Sequence, residues 1–102
     1  MDKISACVVA KKYIDYLKDN NYKIEKAFLF GSFAKNTNHN DSDIDLALIF
    51  DKLENRFNTQ VDLIKLTRYF DTRIEPHPFS LDDFQQISPL IYEIKKDGIE
   101  LN

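Results

Sequence analysis

Two aspartates, Asp43 and Asp45, stand two residues apart in the run Asp41-Ser42-Asp43-Ile44-Asp45-Leu46. On an extended chain, residues i and i+2 project to the same face, so both carboxylates point one way. Like charges that close repel, and Asp45 sits among Ile44, Leu46 and Leu48, where an unpaired ionised carboxylate is costly. A divalent cation supplies the missing counter-charge, and hard oxygen ligands suit Mg²⁺ or Mn²⁺. Upstream, Gly31-Ser32-Phe33-Ala34-Lys35 precedes Asp43 by seven intervening residues. A Gly-Ser step into a short helical turn lets a ligand approach the backbone, while the Ser hydroxyl and free N–H groups face an anion. Each part alone is ordinary: Gly-Ser is a common turn and Asp-x-Asp a common solvated strand edge. Together they specify a metal–phosphate site. A calcium loop, which Asp41 to Asp45 mimics, is excluded because Leu46 stands where the turn needs Gly and Lys52 where a bidentate Glu is required.

The elements that must carry these residues can be read from periodicity. Cys7, Ala10, Ile14 and Leu17 recur at spacings of three and four, which predicts an amphipathic helix ending at Asp19-Asn20-Asn21, with Cys7 as a packed core residue. Residues 24–30 read as a first strand ended by Gly31-Ser32. Residues 32–36 read as a helical turn N-capped by Ser32, and 36–41 as a polar loop. Residues 44–50 form a second strand, apolar except at Asp45, a pattern that needs cover on both faces. Phe57, Val61, Ile64, Leu66 and Phe70 mark a second long helix. Arg73 to Pro76 is a short extended piece, kept from a long central strand by Pro76 and Pro78. Ser80 to Asp83 reads as a capping-box helix start. A last helix begins at Ser88-Pro89 and is capped by Gly98. The order α-β-α-β-α-β-α makes a single α/β layer with a small sheet.

Composition bounds the function. The chain has 102 residues, 14 Lys+Arg against 17 Asp+Glu, a formal charge of −3, and 43% apolar residues, which suits one compact domain rather than a disordered chain. Its mild acidity argues against an extended nucleic-acid groove, though not against a local phosphate site. The apolar runs are far shorter than the ~20 residues of a membrane span, and no signal core is evident. Lone Cys7 excludes a disulfide framework and suits a reducing compartment, so a cytoplasmic location is expected.

The same residues carry a family resemblance. Gly31-Ser32-x-Ala34 followed by Asp41-Ser42-Asp43-Ile44-Asp45-Leu46 resembles the signature of the minimal nucleotidyltransferases of the DNA polymerase β-like superfamily, and the order of elements agrees across most of the chain. The resemblance implies an α/β (α+β) fold, a small mixed sheet of three or four strands flanked by helices, with residues 1–102 forming one such domain. It implies transfer of a nucleoside monophosphate from an NTP, with ATP expected, to an acceptor hydroxyl. Two metals, Mg²⁺ or Mn²⁺, would be held by three carboxylates. Carried over by position, Asp43 and Asp45 bind the metals, Gly31 and Ser32 hold the triphosphate, and Lys35 and Ser42 are further nucleotide-binding candidates. Glu75 is the one acidic residue at a plausible place for the third carboxylate, although the family more often has Asp there. Phe33 departs from relatives that carry a basic residue, which Lys35 could replace on the phosphates unless it merely faces solvent.

Other candidates carry less. His77, between two prolines beside Glu75, could touch the acceptor or a metal, or simply occupy a turn. Arg73 could meet a phosphate or pair with an acidic neighbour. His39 and Asp41 read as loop residues, and Asp82-Asp83 as helix N-terminal charge. Phe33, Phe79, Phe84 and Tyr92 could form a partner surface or belong to the core. Minimal nucleotidyltransferases are often the antitoxin half of a pair with a HEPN-domain toxin, so the resemblance implies such a partner, neutralised by nucleotide addition or by binding alone. Nucleotide transfer to a tRNA end is the remaining alternative. A strand-extending polymerase is disfavoured by the low positive charge.

Overall fold

A computed structural model describes residues 1–102. Helix α1 (Lys3–Asp19) starts at Asp2, whose carboxylate accepts the Ser5 N–H at 2.8 Å. It turns Ala6, Ala10, Tyr13, Ile14 and Leu17 into the core, while Cys7 packs half-buried at its edge. Strand β1 (Ile24–Phe30) leads through Gly31 into α2 (Ser32–Lys35), and β2 (Ile44–Phe50) follows the polar loop. Helix α3 (Arg56–Leu66) runs on into a 3-10 turn at Thr67–Tyr69. Strand β3 (Ile74–Ser80), a 3-10 turn at Asp83–Gln85, α4 (Pro89–Asp97) and β4 (Ile99–Glu100) complete the chain.

The sheet order is β3-β2-β1-β4, with β2 parallel to β3 and β1 antiparallel to both β2 and β4. Strand β2 is central and buried at every position except the half-buried Asp45, as its unbroken apolar run requires. One sheet face, including Leu29, Ile44, Leu46 and Leu48, packs with α1, α2 and Leu63 of α3 into the larger core. On the other face Phe30, Ala47, Ile49 and Phe79 pack against Ile91 and Ile94 of α4. Because side chains alternate along a strand, Asp45 lies on this second, less covered face with Ala47 and Ile49. No helix is long and apolar enough to cross a membrane.

Several expectations need correction. The extended piece after α3 is a full seven-residue strand, and its prolines are compatible with that because β3 lies at the sheet edge. The Leu81 N–H donates to the Phe50 carbonyl, so odd-numbered residues turn their N–H groups toward β2. Pro76 and Pro78 face outward, where a missing donor costs no ladder bond. Ser32 is not the cap of α2: Gly31 holds that position and no side chain caps the turn. Ser80 Oγ accepts the Asp83 N–H, but the capping geometry starts only a 3-10 turn. Gly98 ends α4 in an extended conformation rather than a left-handed one. The stripe on α3 is only partly covered: Phe57 and Ile64 are exposed, Leu66 and Phe70 pack half-buried against the core, and the buried residue of the helix is Leu63, outside the stripe. The two-residue β4 had no signal in the sequence.

The larger core holds one polar link between distant elements. Fully buried Tyr13 donates its hydroxyl to the Leu63 carbonyl at 2.7 Å, tying α1 to α3, and burial pushes its pKa far up. Tyr13→Phe removes that bond and leaves the carbonyl without its partner, so denaturant unfolding should show a loss of about 1–2 kcal/mol. An unchanged midpoint would mean the link contributes nothing.

Candidate active site

Strand register builds the site. Asp45 pairs with Phe30 of β1 on one side and with Glu75 of β3 on the other. The end of β1 and the starts of β2 and β3 therefore meet at one end of the sheet. Glu75 and His77, two residues apart on β3, share a face, and that face is the one carrying Asp45. Oxygens of Asp45 and Glu75 and a ring nitrogen of His77 lie within 4.8 Å of one another. Individually, His77 Nε2 stands 3.5 Å from Asp45 Oδ1 and 3.7 Å from Glu75 Oε1.

Asp43, just ahead of β2, is exposed and stands outside that set of three, though its carboxyl is near enough to Glu75 to raise the Glu75 pKa. The Glu75 carboxyl is held above its ordinary pKa, first by desolvation and then by the neighbouring Asp43 carboxyl. The charges of Asp45 and Asp43 raise it further, and His77 opposes them. Gathered carboxylates of this kind fit a divalent cation. The donor set is mostly hard oxygen, one of its members already has a disfavoured charge, and buried His77 Nε2 has no hydrogen-bond partner.

Gly31 is needed where it stands. Its φ of +77° lies in the region L side chains avoid, and a Cβ there would collide with Asp45 Oδ2. The glycine thus lets the backbone leaving β1 lie against the carboxylate. Ser32 follows as the first, half-buried residue of α2, and the left-handed Asn36 closes the turn.

Other expected residues are placed differently. Lys35 Nζ pairs with Glu93 Oε1 of α4 at 2.6 Å, a bond that raises its pKa. Ser42 is buried, and its Oγ accepts the His39 N–H at 2.9 Å, which fixes the loop that delivers Asp43. Arg73 makes paired bonds to Asp71 at 2.7 and 3.0 Å, the acidic-neighbour alternative. Phe33 and Phe79 are core, Phe84 is half-buried, and Tyr92 is exposed. His77 occupies strand rather than turn. The alternation Glu75-Pro76-His77 was the signal that could have placed it beside Glu75, but it counts only once the segment is known to be a strand.

The carboxylate site is an open sheet end. The largest cavity, about 370 Å³, lies at the opposite end of β2, lined among others by Tyr22, Phe50, Lys52 and Thr59, and touches none of these acids.

This arrangement defines a class. Residues 11–102 match the family model of polymerase beta nucleotidyltransferases, and the chain belongs to that family. It is similar to the protein adenylyltransferase MntA of Shewanella oneidensis, 34% identical over 68 residues covering 54% of this chain and 49% of that protein. The chain thus spans about half the length of that curated relative. A crystal structure of a mutant MntA–HpeT toxin–antitoxin complex matches 89% of this chain and 70% of its own with TM-score 0.57 and 26% identity. One of a toxin–antitoxin with AMP-PNP matches 90% and 72% with TM-score 0.59 and 25% identity.

Two predictions follow from the geometry. Glu75 binds its proton more tightly when folded, so its ionised form opposes folding at neutral pH, and the penalty fades once the unfolded carboxyl is also protonated. Glu75→Gln should raise the unfolding temperature of the metal-free chain at pH 7, with the gain vanishing below about pH 4. No gain at pH 7 would remove the case for crowded charge. Gly31→Ala combines strain with the Asp45 collision and should cost about 1–3 kcal/mol in denaturant unfolding; a neutral result would contradict the tight approach.

Proposed function

We propose that the chain is a metal-dependent nucleotidyltransferase that moves a nucleoside monophosphate, AMP from ATP, onto an acceptor hydroxyl of a HEPN-type toxin protein, and so acts as its antitoxin in the cytoplasm. The observation that carries this reading is the convergence of Asp45 and Glu75 beside Gly31, with Asp43 next to Glu75. The similarity to a protein adenylyltransferase and to a toxin–antitoxin with AMP-PNP supports the nucleotide and the kind of partner. An open site with no enclosed pocket suits an acceptor that brings its own surface.

In this reading Asp43, Asp45 and Glu75 hold Mg²⁺ or Mn²⁺. A bound dication would supply charge neutralisation on the triphosphate and acidify the attacking hydroxyl. Gly31 sets the backbone against Asp45, and the Ser32 hydroxyl with the first N–H groups of α2 orients the phosphates beside the acids. The acceptor oxygen forms a bond to the α-phosphorus as the bond to pyrophosphate breaks, and Glu75 would orient the metal or take the hydroxyl proton. Ser42 contributes by fixing the loop before Asp43. Lys35 reaches the phosphates only if it leaves Glu93.

A second reading, neutralisation by binding alone, is favoured by one observation. Ile4, Val8, Phe57, Ile64 and Tyr69 are exposed and give a protein partner apolar surface to cover.

The two readings separate in one co-expression experiment. With the native chain the partner should gain the mass of one or more AMP units, and pyrophosphate should be released from Mg²⁺-ATP. In the double variant Asp43→Asn/Asp45→Asn both should fall at least about 100-fold, in line with the loss of charge-stabilising groups elsewhere. Full activity in that variant overturns the mechanism. Neutralisation that survives with no added mass leaves binding alone.

A further inference from the structure

The polar atom left over by the nucleotide-transfer reading is His77 Nε2. It is buried and has no hydrogen-bond partner, although an orphaned buried nitrogen is costly. Its separations of 3.5 and 3.7 Å from the Asp45 and Glu75 oxygens are too long for good hydrogen bonds. They are close to the spacing of neighbouring donors around one ion, about 3.0–3.4 Å for metal–ligand bonds of about 2.1 Å. The ring is also held in place. Phe30 packs against it edge-on, centroids 5.1 Å apart, and the backbone around it is stiffened by Pro76 and Pro78.

We propose that His77 Nε2 is a direct ligand of the metal site, making with Asp45 and Glu75 a mixed nitrogen–oxygen set that favours a first-row transition dication over Mg²⁺. Imidazole nitrogen suits the borderline transition ions, whereas Mg²⁺ takes oxygen almost exclusively and keeps its waters. The position on β3 makes this possible. Glu75 sits directly across from Asp45, and His77, two residues on, brings the third donor to the same face.

The inference rests on the site's being a metal site, but its test needs neither nucleotide nor partner. Mn²⁺ and Mg²⁺ binding to the full chain are measured by calorimetry, and pulsed EPR of the Mn²⁺ complex looks for coupling to a ring ¹⁴N. The native chain should bind Mn²⁺ more tightly than Mg²⁺ and show the coupling. His77→Gln should lose the coupling and at least about tenfold in Mn²⁺ affinity, with Mg²⁺ affected far less. His77→Asp, which adds an anionic carboxylate donor, should bind Mg²⁺ better than His77→Gln does. Circular dichroism identifies a variant that fails to fold, and the ¹⁴N signal of the native chain does not depend on any variant. Absence of that signal, or an equal loss for both ions in His77→Gln, overturns the proposal and makes His77 a positioning residue. If Asp45→Asn abolishes Mn²⁺ binding while His77→Gln does not, His77 is dispensable and the carboxylate site stands. If the native chain binds neither ion, the metal reading of the site falls with it.

Discussion

Repulsion between carboxylates packed at the end of one sheet is the constraint on which the rest of the structure turns. Asp45 is on the central strand, Glu75 directly opposite on the edge strand, and Asp43 near enough to raise the Glu75 pKa. Neither strand can move aside. Strand β2 is locked by apolar packing on both faces, and β3 is bonded to it along its whole length in parallel register. The larger hydrophobic core therefore holds the acids in a position that their own charges oppose. Such an arrangement is stable because the opposing interaction is local and modest beside the burial that fixes the strands.

Around this cluster the smaller features are arranged by geometry. Gly31 removes the one atom that would collide with Asp45, and buried Ser42 pins the loop from which Asp43 projects. The salt bridge from Lys35 to Glu93 ties the turn after β1 to α4, the one α-helix packed on the face that carries the acids. As an exposed pair it contributes little to stability; its importance lies in where it leaves the lysine.

The central elements were legible in the sequence, and Asp45, singled out there, stands near the start of β2. The runs Ile24–Phe30 and Ile44–Phe50 coincide with β1 and β2, β2 because a strand buried on both faces declares itself as a nearly continuous apolar run and β1 through its apolar second half, Ala27 to Phe30. The spacing of Gly31-Ser32 from Asp43 and Asp45 likewise needs only local chemistry to be read. What stayed hidden depends on pairing between distant segments. Two prolines masked β3, since their tolerance depends on which edge faces a neighbour. Consequently His77 looked like a turn residue, and its approach to Asp45 could not be seen before the register was known. Lys35 was read against phosphate because Glu93, 58 residues away, gave no local sign of reaching it. Phe57 and Ile64 matched helical spacing but face solvent, since periodicity reports a stripe and not what covers it.

The most direct examination of the central claim is anomalous scattering from crystals of the chain grown or soaked with Mn²⁺. A peak bounded by the side chains of Asp43, Asp45 and Glu75, at the roughly 2.0–2.6 Å from carboxylate oxygens usual for hard dications, is the predicted result. A well-ordered sheet end with no such peak at millimolar Mn²⁺, or with the ion bound only elsewhere on the surface, would contradict it.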